Sequence, residues 1–248
     1  MTPSDARSNG FTREQSHRHA SALTRGLLES GVLDTLVAAD DPGARLVTEK
    51  ERLASLHETL AIRPRGDVWV FGYGSLVWNP AIDAVERRIA RVDGWHRSFC
   101  LSITTLRATA DRPGVMLSLD RGGSCHGAAY RLAPDAVEHE LRLLWRREMV
   151  VPGYVPRWVQ IADANGDPIG AAIAFTTDST HPQYAGSLED ACIACRLATA
   201  AGSLGSAADY LRRTCEGLQA AGISDPELSR LVDVVRKIQQ DHDLPVLL

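Results

Sequence analysis

Val68-Trp-Val-Phe-Gly-Tyr-Gly-Ser-Leu-Val-Trp-Asn-Pro80 is the stretch on which the fold turns. Its first four residues, Val68 to Phe71, are all large and apolar and read as one buried strand. The strand runs without a polar break into Gly72-Tyr73-Gly74-Ser75-Leu76. Glycine frees the backbone for a sharp exit and lets a ligand approach the chain closely. Amide N–H groups exposed in such a loop form a small nest for an anion. A plain tight turn after a strand would use the same residues. Two other readings fail on spacing. A dinucleotide fingerprint needs a third glycine where Val77 stands. A nucleophile elbow at Ser75 needs glycines where Tyr73 and Val77 stand.

Outward from this strand, further strand-like runs cover residues 84–92, 95–103, 115–119 and 125–132, the last preceded by Gly122-Gly123 as a turn. A polar loop spans 107–114. A helix follows over 135–148, with Val137, Leu141, Leu144, Trp145 and Glu148 on one face. Residues 157–162 and 169–176 make a hairpin around Asn165-Gly166. Three helices follow, over 188–201, 206–221 and 225–240, with Ser206 and Asp225 as caps and Pro226 at a first helical position. N-terminal to the strand lie a helix-like pattern over 20–36 and a second helix from Thr48, whose Glu51 three residues on makes a capping box. Residues 1–20 read as loosely held. The order lacks β-α-β alternation, which predicts an α+β fold with a mixed or mostly antiparallel sheet curled around one core. It divides into a helical leader, residues 1–65, and a catalytic unit, residues 66–248.

Composition narrows the function. The chain has 248 residues, 44% of them hydrophobic, and a net charge of −4, so no charge excess draws it to nucleic acid or a membrane surface. Its longest run free of charge, Val68 to Ile82, contains glycine, asparagine and proline and is no membrane span. No signal peptide is evident, and a cytoplasmic protein is expected. Five cysteines, an odd count, argue against a disulfide framework. Cys192 and Cys195 lack a second ligand pair and read as small buried residues; no metal is expected. His17 and His19 read as solvated. Of 27 basic residues only Lys50 and Lys237 are lysines, which leaves little room for lysine chemistry.

Glu148 is the candidate base. A carboxylate on an apolar helix face is either paired or poorly solvated, and burial raises its pKa toward the range a general base needs. Arg146 and Arg147 are adjacent in sequence, and adjacent helical residues point apart, so they are expected to be poor partners.

Several segments in order resemble the ChaC-like branch of the γ-glutamylcyclotransferases. They are Val68–Pro80, Gly122–Leu132, Leu144-Trp-Arg-Arg-Glu148 with Gly153-Tyr154, His181-Pro-Gln-Tyr-Ala-Gly186, and Gly205-Ser206 with Asp209-Tyr210-Leu211. The resemblance implies a small mixed β-barrel with flanking helices. It also implies a cofactor-independent lyase that cleaves glutathione to 5-oxoproline and Cys-Gly. Glu148 matches the catalytic glutamate. The amides of Tyr73, Gly74, Ser75 and Leu76 would hold the substrate's α-carboxylate or a developing oxyanion. Arg107 and Tyr154 would add substrate contacts, while Tyr184 and Tyr210 contact substrate or only pack. Ala108 stands where glycine is expected, and Ala207 near a usual asparagine. Other γ-glutamyl peptides or amines are an alternative substrate class, and a regulatory binding protein is an alternative role. A monomer is expected.

Overall fold

A computed structural model describes residues 23–186 and 188–243, so residues 1–20, with His17 and His19, lie outside it. The strand that opens the reading, β1 (Trp69–Gly72), is buried at all four positions. It pairs antiparallel with β3 (Gly114–Arg131) and parallel with β5 (Pro168–Thr176). A strand bonded on both edges and covered on both faces has no solvent side, which is why it shows no polar alternation. With β2 (Glu86–Ile103) and β4 (Val155–Ala162) the order is β1-β3-β2-β4-β5, closed into a barrel. This is the expected mixed barrel with flanking helices.

The four short strands expected before the central helix are in fact two long ones. β2 and β3 each run for 18 residues. Their ladder slips between Asp93 and Trp95, where Gly94 faces the Gly122-Gly123 pair. All three glycines have positive φ: +80°, +97° and +64°. Left-handed glycines can absorb a bulge as readily as they make a turn, so the strands bend and continue. The hairpin of β4 and β5 forms as read, with Gly166 at φ +88° in its turn.

The helix-like pattern of 20–36 splits into α1 (Arg25–Ser30) and α2 (Leu33–Asp40), because Gly31 adopts φ +71° and caps the first. α3 (Glu49–Ala61) begins with the predicted capping box, Thr48 and Glu51 bonding each other's backbone N–H. α4 (Ser75–Trp78) is a single turn grown from the glycine loop. α5 (Val137–Glu148) buries Leu141, Leu144 and Trp145, and Trp145 meets Phe175 of β5 edge to face at 5.2 Å. Its other side carries Leu143, which packs with Leu28, Leu33 and Val37 of the leader and with Val150 and Leu204. α5 is therefore clamped between barrel and leader. α6 (Asp190–Thr199), the two-residue strands β6 (Ala201–Gly202) and β7 (Gly205–Ser206), α7 (Ala207–Ala220) and α8 (Pro226–Asp243) complete the described chain. Ser206 and Asp225 cap α7 and α8 as expected.

The cysteine expectation fails in part. Cys195 is exposed and Cys192 only partly covered, so the pair is not buried. Their helix turns the intervening Ala194 and the later Leu197 inward instead. Among the described residues no cluster of His, Cys, Asp and Glu could hold a metal ion, and no helix is long and apolar enough to cross a membrane.

Candidate active site

β1 delivers the glycine loop to the barrel end where α5 terminates. Both loop glycines are required by contact. A Cβ on Gly72 would lie 2.7 Å from the Leu76 Cβ, and one on Gly74 would lie 2.8 Å from the Tyr210 hydroxyl. Four consecutive carbonyls are held, two from outside and two by the turn of α4 itself. Arg97 Nε donates to Tyr73 O (2.6 Å), Val77 N–H to Gly74 O (3.0 Å), Asn79 N–H to Ser75 O (2.8 Å) and the Tyr130 hydroxyl to Leu76 O (2.8 Å). The loop is thereby rigid before any ligand arrives. The N–H groups of Ser75 and Leu76, in the first turn of α4, have no acceptor within that turn.

Glu148 is the last residue of α5 and its side chain is 13% exposed. Arg147 Nε lies 2.9 Å from Glu148 Oε1. This corrects the expectation that a neighbouring arginine would not pair with it: the two long side chains come within ion-pair distance although the residues are adjacent on the helix. The contact is badly directed, and Glu148 Oε1 has no hydrogen-bond partner. Burial pushes the Glu148 carboxyl above the ordinary carboxylate range, and the Arg147 charge only partly opposes this. Arg147 does more than pair. It donates from Nη2 to Ser75 Oγ at 2.8 Å and from Nη1 to Asn79 O at 2.5 Å, so it ties the glycine loop to the end of α5. The sequence signal for this residue was present in the Trp-Arg-Arg-Glu run, but only the helix end makes it usable.

Two connected spaces meet at Glu148. A recess of about 20 Å³ is enclosed by Tyr73 to Leu76, Leu117, Glu148, Tyr154, Phe175 and Tyr210. A cleft of about 460 Å³ opens outward from Ser75, Glu148, Tyr154 and Tyr210. Its outer walls include Arg107, Met116, Gln183 and, from the leader, Asp41, Ala44 and Arg45. No pattern in the sequence points to those leader residues, since their partners lie far along the chain. A cleft of this size takes a small peptide, and the recess at its inner end has room for a single polar group of it.

The expected site residues are largely brought together. Burial raises the hydroxyl pKa of Tyr73, Tyr154 and Tyr210, so all three remain protonated donors at neutral pH. Tyr73 donates to Phe175 O (2.5 Å) and Tyr154 to Leu117 O (2.7 Å), which fixes both rings against the barrel. Tyr210 and Tyr184, alike in the sequence, part company. Tyr210 walls the recess. Tyr184 donates to Asp120 Oδ2 at 2.6 Å, outside both spaces, and that bond pushes its pKa up to about 12. Arg107 is only 7% exposed. It lies on the cleft wall, 3.2 Å from Ser206 O, 3.6 Å from Asp209 Oδ2 and over the Tyr210 ring at 5.9 Å. Asp209 also pairs with Arg212 and Arg213, so its charge is shared among three arginines. Ala108 is fully buried and packs into space that Gly114 leaves open.

The fold is that of solved γ-glutamyl cyclotransferases. The structure described as a γ-glutamyl cyclotransferase specific to glutathione from yeast superposes with a TM-score of 0.65 at 20% identity, covering 72% of this chain and 100% of that one. In sequence, the family model described as "ChaC-like protein" matches residues 68–238. The glutathione-specific γ-glutamylcyclotransferase of Escherichia coli K12 is 42% identical over 221 residues, 89% of this chain and 95% of its own. The human glutathione-specific γ-glutamylcyclotransferase 1 is 32% identical over 183 residues, 69% of this chain and 82% of its own. The chain belongs to the ChaC-like family.

Proposed function

We propose that this protein is a lyase that cleaves glutathione to 5-oxoproline and Cys-Gly. The observation that carries the reading is Glu148: a largely buried carboxylate with a raised pKa, held only by a poorly directed ion pair to Arg147, where a narrow recess opens into a peptide-sized cleft. The γ-glutamyl end lies at the inner end of the cleft, with one polar group against the recess. Its α-carboxylate lies against the N–H groups of the Tyr73–Leu76 loop. Glu148 removes a proton from the α-ammonium group. The freed amine attacks the γ-carbonyl carbon and a five-membered ring closes. Glu148 passes its proton to the cysteinyl nitrogen, the oxyanion collapses and the bond to that nitrogen breaks. Glu148 then relays the second proton from the ring nitrogen to the freed amine, so 5-oxoproline keeps one N–H and Cys-Gly leaves as an ammonium. Every atom is accounted for without water or a cofactor. The attack is intramolecular, so holding the chain curled supplies much of the acceleration. Arg107 and Tyr154 line the path of the Cys-Gly portion.

The described part of the leader, residues 23–65, covers one side of the catalytic unit that begins at residue 66. Five unbonded thiols and a glutathione substrate both suit the cytoplasm. The protein acts as a monomer, and its balanced charge gives it no purchase on nucleic acid. The test is product release by the parent and by Glu148→Gln, with glutathione and γ-glutamyl-alanine as substrates. The parent should release 5-oxoproline from glutathione in preference, and the variant should be nearly inert. A variant close to the parent's rate would remove Glu148 from the chemistry. A preference for γ-glutamyl-alanine would move the substrate class.

A further inference from the structure

α2 ends on Asp40, and that carboxylate gathers donors from two distant segments. The Leu106 N–H donates to Oδ2 at 2.6 Å. Ser203 donates its N–H to Oδ1 at 3.0 Å and its hydroxyl to Oδ2 at 2.7 Å. Beside these, Thr104 donates its hydroxyl to Asp41 Oδ2 at 2.6 Å, and the Ala110 N–H donates to the Asp40 carbonyl at 3.3 Å. The end of the leader thus ties down the 104–110 turn and the tip of the β6–β7 hairpin together.

The turn needs such a tie. Leu106 has φ +63°, a left-handed conformation that a leucine keeps only when its surroundings hold it. Both of its backbone polar groups are held: the N–H by Asp40 and the carbonyl by the Leu204 N–H at 2.7 Å. Its side chain packs into the apolar cluster that the leader shares with α5. The next residue is Arg107, whose guanidinium stands on the cleft wall against Ser206 and the Tyr210 ring.

We propose that Asp40 is a positioning residue for the cyclotransferase reaction: it fixes the strained turn at Leu106 and so sets Arg107 on the substrate cleft. The inference rests on the function proposed above, and it makes the leader part of the binding site. Asp40→Asn keeps the shape but turns an NH2 toward the N–H groups of Leu106 and Ser203. If Asp40 acts through Arg107, the loss falls on substrate binding and is not repeated once Arg107 is gone. KM and kcat for glutathione are measured for the parent, Asp40→Asn, Arg107→Met and the double variant. Asp40→Asn should raise KM about tenfold with kcat within about threefold of the parent, and should add less than about threefold to the KM of Arg107→Met. A KM equal to the parent's overturns the proposal, and so do KM effects that multiply fully in the double variant. If Asp40→Asn does not fold, Ser203→Ala decides, since it removes one of the bonds to Asp40. A rise in KM of about threefold supports the proposal and an unchanged KM overturns it. A parent that releases no 5-oxoproline overturns the proposed function, and this inference with it. An active parent with an insensitive KM overturns only the inference.

Discussion

α5 carries two glutamates about two turns apart, one buried and one largely so, each with an arginine beside it, and they do opposite things. Glu140 lies in the first turn and its side chain is 3% exposed. Burial pushes its carboxyl up, but the Arg25 fork, 2.8 Å to each oxygen, and the Asp83 N–H at 2.9 Å more than offset this, and its pKa ends below the ordinary range. Glu148 lies in the last turn. It has one misdirected contact, and its pKa ends above that range. The helix dipole adds to the split, since it favours an anion at the N-terminus and disfavours one at the C-terminus. An arginine at hand therefore does not make a carboxylate structural. The number and direction of the hydrogen bonds decide whether it stays ionised and inert or can trade a proton.

The largest way to break the contrast is to neutralise each carboxylate in turn. Glu148→Gln should lower kcat about 10³-fold, the scale of a lost general base, with little change in folding. Glu140→Gln should leave activity per folded molecule within about twofold. It should cost about 2 kcal/mol of stability, because it breaks a buried fork while Arg25 keeps some access to solvent. Product release and urea midpoints on both variants decide the matter. If Glu140→Gln lost as much activity as Glu148→Gln, the division of roles would be wrong.

The next effect concerns pH. In the proposed mechanism Glu148 must start ionised, so the acid limb of kcat/KM should lie above the ordinary glutamate range. Arg147 pulls that pKa down. Removing its charge in Arg147→Met should move the limb to higher pH and lower kcat/KM at pH 7 about tenfold, part of it through the lost ties to Ser75 and Asn79. A limb that stays in place would show that Arg147 only braces the loop.

The contrast within α5 also marks what a sequence can show. Val68 to Phe71, the capping box at Thr48 and the apolar face of α5 are local patterns with local causes, and each forms as read. Gly122-Gly123 misleads because a hairpin turn and a left-handed bulge ask for the same residues; only the register of β2 against β3 separates them. The parallel closure of β1 on β5 joins segments about a hundred residues apart. Glu148 could be picked out by its place on an apolar face. Its contact with Arg147 could not, since adjacent helical residues point apart unless their side chains bend toward each other. Asp40 carries no motif, and its partners lie 66 and 163 residues away.

The smallest effect tests the edge of the site. Tyr154 spends its proton on Leu117 O and packs edge to face on Phe175 at 6.3 Å. What it can still offer a substrate is the lone-pair side of its oxygen, an acceptor for a donor such as an N–H of the Cys-Gly portion. Tyr154→Phe keeps the ring and removes that acceptor along with the bond to β3. If Glu148 alone moves the proton, kcat/KM should fall only about fivefold, mostly through KM, which is the scale of one neutral hydrogen bond. A loss of a hundredfold or more in kcat would place the tyrosine against the reacting atoms. Proton transfer would then be shared between Tyr154 and Glu148, and the raised pKa of the glutamate would no longer suffice to explain the site.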